Sequence, residues 1–295
     1  MKLKGNSGIN LRTAGIASAV VFGILFIIRM YHTFALIDGA SGFFTAHNLS
    51  VAVMYALFGV GIILPIVLCY ICKDLPSGDM KKKPSFIYVA ATLLFALTLL
   101  YDAIVNIRTV LAFGGGISGA KEALGGNIGV ISTVFGIAGA VAMVLSVFIY
   151  MKKGTLTGRL SIPMLFPVIW AFLNTLEFFS VTVSYVKVSQ LLFTIFYSAF
   201  LMVFLFENAR VTTGVGKKDS LWFFYATGII TTAFSFVAGI PVFAAGLISP
   251  DKVTSYCPFE LYMLSGGIYA LASMLVRASA EETEDKISEN VTETE

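Results

Sequence analysis

Four ionisable side chains stand where hydrocarbon is expected: Arg29, Asp102, Glu177 and Glu260 each interrupt a long apolar run. A charged group at the centre of a lipid-facing helix costs roughly 2.5–3.5 kcal/mol, and less near an interface. Such residues are therefore expected to turn inward, where they pair with one another, meet water, or hold a solute or ion. A carboxylate can accept from a cation or carry a proton, and a guanidinium offers five donors to an anion. At a helical repeat these charges have polar company. Thr98, Asp102, Asn106 and Thr109 share one stripe, and Trp170, Asn174, Glu177 and Ser184 form a second. Gln190, Thr194, Tyr197 and Ser198 form a third, Thr227, Thr231 and Ser235 a fourth, and Arg29 stands with His32. Residues at i, i+4 and i+7 or i+8 lie on one helix face. Several polar stripes on separate helices are what a bundle with a polar interior needs. Arg29, His32, Asp102, Asn106, Asn174, Glu177 and Gln190 are thus the candidate solute-binding residues.

The elements that must position them are membrane spans. Of the 295 residues, 57% are hydrophobic and only 13% charged, against roughly 25% charged in soluble domains; the mean hydropathy is +0.87. About 20 apolar residues cross the hydrocarbon, and eight such runs are legible: 11–35, 49–72, 86–113, 127–151, 161–186, 189–209, 220–248 and 257–277. The chain is therefore expected to be an all-α polytopic bundle. Residues 1–280 form one membrane domain, and 281–295 an acidic tail too poor in apolar residues to order itself. The first run is too long for a cleaved signal peptide and reads as an uncleaved anchor.

The net charge of +3 does not point to nucleic acid, because the basic residues cluster beside apolar runs. Fifteen of the twenty fall on the N-terminus, the C-terminus and the second, fourth and sixth connections, which share one side if the spans alternate. The positive-inside rule then places both termini in the cytoplasm and the protein in the plasma membrane as a multi-pass chain. Counted from the basic side, Asp102 lies as far beyond Phe86 as Glu177 beyond Ser161, and Arg29 and Glu260 reach nearly the same depth. The polar site is accordingly expected to face outward. Pairing of Arg29 with Asp102 is the cheapest way to keep opposite charges at that level.

Other features have plainer explanations. Arg108, near the outer end of its span, can snorkel, and Glu260 follows Pro258, where an acid suits a helix start. Cys69 and Cys72 have C-x-x-C spacing without a second pair, and Asp38, His32 and His47 match no ligand spacing, so no metal site is assigned. Gly136, Gly139 and Ala140 in the fourth run, and Gly266, Gly267 and Ala270 in the eighth, let helices approach closely. They fit packing within the bundle better than a dimer face. Gly239-Ile240-Pro241 is the expected break in the seventh run. No motif for a nucleotide, a catalytic zinc or a nucleophilic serine is present, so neither a cofactor nor a catalytic residue is assigned.

The segment L-I-D-G-A-S-G-F-F after the first run resembles that of a group of bacterial multi-span membrane proteins without an assigned activity. The resemblance implies a multi-span fold and nothing about chemistry. The partners expected are thus the lipid bilayer and a small polar or anionic solute. A small-solute or ion-coupled transporter is the leading reading. The alternative is a non-enzymatic sensor or accessory subunit, in which Arg29, Asp102 and Glu177 form a structural ion-pair cluster. An intramembrane enzyme ranks last, for want of a nucleophile or metal set.

Overall fold

The computed structural model describes residues 10–38, 44, 49–72, 75, 84–114, 116–124, 126–153, 162–180, 189–214, 221–249 and 260–292. His47, Ser184 and Cys257 lie outside them. The helices are α1 (Leu11–Tyr31), α2 (Leu49–Ile71), α3 (Phe86–Phe113), α4 (Gly116–Ala123), α5 (Asn127–Lys153), α6 (Phe166–Ser180), α7 (Ser189–Thr212), α8 (Leu221–Phe234), α9 (Ile240–Ile248) and α10 (Leu261–Thr292). Eight stretches are long and apolar enough to cross a membrane, from Leu11–Leu36 to Leu261–Ser279. They follow the eight runs of the sequence closely, and the chain is an all-α polytopic bundle. The described residues contain no strand, only an isolated bridge between Ile37 and Phe44.

Contacts between helix ends show that the spans alternate. The start of α3 meets the end of α5 through Ser85 N–H and the Tyr150 hydroxyl (3.3 Å). The end of α7 meets the end of α10 through Thr212 and Arg277, and the end of α2 meets the start of α8 through Tyr70 and Trp222. These ends lie on the side that carries the basic connections, hereafter the basic face. On the far face His32 meets Ser50, Asn106 meets Thr133, and Asn174 meets Tyr262.

Helices α7, α8 and α10 form the centre and are buried over most of their length, whereas α1 and α2 lie at the periphery. Helix α10 packs on α3, α7 and α8; α3 packs also on α5, α5 on α6, and α6 on α7. α1 packs on α2 and, more lightly, on α8. The small residues serve these intramolecular contacts. A Cβ on Gly136 would meet the Trp170 ring at 3.2 Å, and one on Gly139 would meet the Pro167 backbone at 3.2 Å, so α5 approaches α6 closely. Gly266 and Gly267 admit Tyr197 of α7 and Ser235 beside α8 in the same way.

Two details depart from expectation. The seventh span is not broken at Gly239-Ile240-Pro241. A π turn, Ser235–Gly239, precedes Pro241 and the helix continues as α9. The wider turn absorbs the missing proline N–H without leaving a gap in the bundle. A second π turn, His32–Leu36, extends α1, with Ile37 N–H returning to His32 O at 3.0 Å. In addition, α10 runs on to Thr292, across most of the tail for which disorder was expected. Ala, Glu and Lys in A-S-A-E-E-T-E-D-K propagate a helix well once the membrane span has supplied the nucleus.

Candidate functional site

Asp102 on α3, Glu177 on α6 and Glu260 just before α10 lie toward the far face, within reach of one another's charge but not in contact. Glu177 lies in the field of Asp102, and Glu260 in the fields of both. All three are half-buried. Among the described residues none of them is in an ion pair, and Arg210 pairs with Glu207 toward the basic face. Three helices therefore bring like charges to one place. No three His, Cys, Asp or Glu side chains among the described residues are close enough to hold a metal ion together.

Hydrogen bonds fix the walls of this site. Asn106, one turn beyond Asp102, donates to the Thr133 hydroxyl at 3.1 Å and so ties α3 to α5. Asn174, three residues before Glu177, donates to the Tyr262 hydroxyl at 2.6 Å and ties α6 to α10. Tyr262 is held also by the Trp170 ring, edge to face at 5.0 Å. Its carbonyl accepts from the Tyr197 hydroxyl at 3.0 Å. The floor beneath the carboxylates is thus aromatic and hydroxyl-rich. An aromatic face beside carboxylates favours positive charge, through the ring quadrupole as well as through Coulomb attraction.

Arg29 and His32 stand elsewhere. Arg29 is fully buried and its guanidinium carbon lies 4.9 Å from the centroid of the Phe193 ring on α7. His32 and Tyr55 lie in its field. His32 is clasped between the Met54 sulfur (3.3 Å) and the Ser50 hydroxyl (3.1 Å) of α2, with Phe44 edge-on to its ring. Gln190, also buried, begins α7 one turn before Phe193. The expected pairing of Arg29 with Asp102 is accordingly corrected. The two reach a similar depth, but α1 packs on α2 and α8 whereas α3 packs on α5 and α10. Depth can be counted along a helix; position around the bundle cannot. Of the seven candidate residues, Asp102, Asn106, Asn174 and Glu177 belong to the acidic site, and Arg29, His32 and Gln190 to the other side of the bundle. Arg108 is exposed, as an interfacial residue should be, whereas Glu260 joins the acidic site.

A third polar group was not anticipated. Arg277 is 1% exposed, although its position in sequence suggested an interfacial charge at the C-terminal end of the last span. Its Nη2 donates to the Thr212 hydroxyl at 2.6 Å and to the Asn208 carbonyl oxygen at 3.2 Å, and its carbon lies 5.3 Å from the Phe224 ring centroid. Asn208 in turn donates to the Tyr269 hydroxyl at 2.6 Å. The signal available was the four-residue spacing Ser265, Tyr269, Ser273, Arg277. A cavity of about 420 Å³ between α6, α7 and α8 is lined by apolar side chains and Glu207, with neither Arg277 nor the three far-face carboxylates in its wall.

No family model matches the chain, and neither the curated proteins nor the solved structures contain a match.

Proposed function

We propose that this multi-pass membrane protein is a cation-coupled carrier of a small solute, whose cation site is formed by Asp102, Glu177 and Glu260 and opens outward. The reading is supported by three half-buried carboxylates that lie in one another's fields toward the far ends of α3 and α6 and just before α10, with no ion pair among the described residues to neutralise them. Such an arrangement is unfavourable in an empty folded protein, and a proton or small cation relieves it. Asn106 and Asn174 present amide groups at the same level for the polar part of a solute. The accessory-subunit reading needed Arg29 to counter Asp102 and Glu177, and neither acid is in an ion pair among the described residues.

Melting of the purified protein in detergent tests the reading with three probes: lowered pH, sodium chloride and methylammonium chloride. The native protein is expected to gain stability from at least one of them, by about 1.4 kcal/mol at ten times its Kd. Glu177→Gln keeps the shape and removes a charge. It should express normally, melt no lower than the native protein without additive, and lose most of the response. A native protein indifferent to all three probes would overturn the proposal.

A further inference from the structure

Helix α10 carries a row of hydrogen-bonding side chains at four-residue spacing, Ser265, Tyr269, Ser273 and Arg277, and each of these side chains is at most 2% exposed. The row is covered by neighbouring helices along its length. The Ser265 hydroxyl shares a 2.7 Å hydrogen bond with Thr98 of α3. Tyr269 stacks on Phe95 of α3 at 5.5 Å and is bonded by Asn208 of α7. Arg277 is bonded to Asn208 and Thr212 of α7 and lies over Phe224 of α8. One turn before Ser265 on the same helix, Tyr262 lies in the field of Glu260 and Asp102 and is bonded by Asn174. From Glu260 to Arg277 the helix rises about 25 Å, most of the roughly 30 Å hydrocarbon thickness.

A bundle held only by apolar packing has no use for such a row, because each buried hydroxyl costs desolvation that a methyl group would not. Packing alone explains single members, for a serine or threonine often bonds its own helix, but not four buried polar side chains in register along one face of the span. Resting on the reading of the acidic site as a cation site, we infer that the coupling ion is a proton and that it travels along this face of α10, with Arg277 as the electrostatic stop that keeps the route closed at the basic face.

The chemistry needs no other reactant. A hydroxyl accepts a proton on a lone pair and releases its own to the next acceptor, so each Ser, Thr or Tyr is unchanged after one transfer and one rotation. Steps of one helical turn, about 6 Å, are bridged by a single water molecule making hydrogen bonds to both sides. Arg277 stays charged at all working pH values. Its positive field in a low-dielectric interior opposes an arriving proton, so uncoupled leak is suppressed. Asn208, bonded to both Tyr269 and Arg277, ties the row to the stop.

The test is proton leak into proteoliposomes that hold a pH-sensitive dye, driven by a potassium diffusion potential set with valinomycin, with no solute added. The native protein should leak no faster than empty vesicles. Arg277→Gln should leak about tenfold faster, whereas Arg277→Lys, which keeps the charge, should stay tight. Adding Ser265→Ala and Tyr269→Phe to Arg277→Gln should return the rate to baseline. Should Arg277→Gln not fold, Asn208→Asp neutralises the guanidinium in place and is expected to leak likewise. A folded neutralised variant as tight as the native protein overturns the inference, and so does a leak that survives removal of the Ser265 and Tyr269 hydroxyls. The melting response to cations is read separately: a native protein that responds while Arg277→Gln stays tight keeps the acidic site and loses the route. A leak through Arg277→Gln in a protein indifferent to every cation keeps the route and loses the site.

Discussion

Gly267→Ala is expected to melt far below the native protein, and Gly228→Ala close to it. Both glycines lie at contacts between α8 and α10, and both substitutions add one methyl group. At Gly267 that methyl would overlap the Cβ and Oγ of Ser235, the first directly bonded to the backbone of the π turn and the second one bond further out. The Ser235 hydroxyl is already committed, donating to Met263 O at 2.7 Å. Relief therefore requires the π turn and α10 to separate, which breaks that hydrogen bond and the one from Thr232 to Gly267 O. Overpacking that moves backbone costs about 1–3 kcal/mol, and a lost buried hydrogen bond adds about 1 kcal/mol. At Gly228 the added methyl meets the Met274 sulfur and its neighbours. A thioether on a three-bond stem swings aside at a cost below about 1 kcal/mol. Gly59, with nothing within 4 Å of the added Cβ, serves as a control in which Ala should be neutral or slightly stabilising. Equal melting of all three variants would mean that α8 and α10 do not approach as described.

Removing all three far-face charges should stabilise the protein. In Asp102→Asn, Glu177→Gln, Glu260→Gln the side-chain shapes persist while the mutual repulsion disappears. Like charges in one another's field repel, and solvent at half-buried groups limits this to about 1 kcal/mol. Binding sites built from like charges commonly hold stability down in this way. Melting followed by circular dichroism near neutral pH should show the triple variant above the native protein. The gap should close as the pH falls and protons neutralise the native carboxylates, because stability then rises in the native protein alone. A triple variant that melts several kcal/mol lower would show instead that the acids hold the helices together.

The spans were legible because length and hydropathy alone determine them. The run 86–113 coincides with α3, and 49–72 with α2 to within one residue. The fixed rise per residue also set Asp102 and Glu177 at equal distances along their spans, and Glu177 lies in the field of Asp102. What the stripes could not tell was azimuth. Arg29 lies at a similar depth yet faces Phe193, a relation decided by which helices neighbour α1. Glu260 has an ordinary reading as an acid at a helix start, and only the fold brings it beside Asp102 and Glu177. Arg277 was hidden by a sound rule applied to the wrong residue. A basic residue at the end of a last span usually marks the cytoplasmic boundary. Here Asn208 and Thr212 draw it into the bundle. The π turn before Pro241 was invisible because a proline signals that the helix must adjust, not how.

Asp102, Glu177 and Glu260 are proposed to form one site through which the protein moves positive charge. Charge-displacement currents from proteoliposomes on a solid-supported membrane, recorded after jumps in proton, sodium or methylammonium concentration, test it most directly. The native protein is predicted to displace positive charge for at least one of the three cations, and the Asp102→Asn, Glu177→Gln, Glu260→Gln variant for none. A variant current equal to the native one, or a native protein silent to every jump, would contradict it.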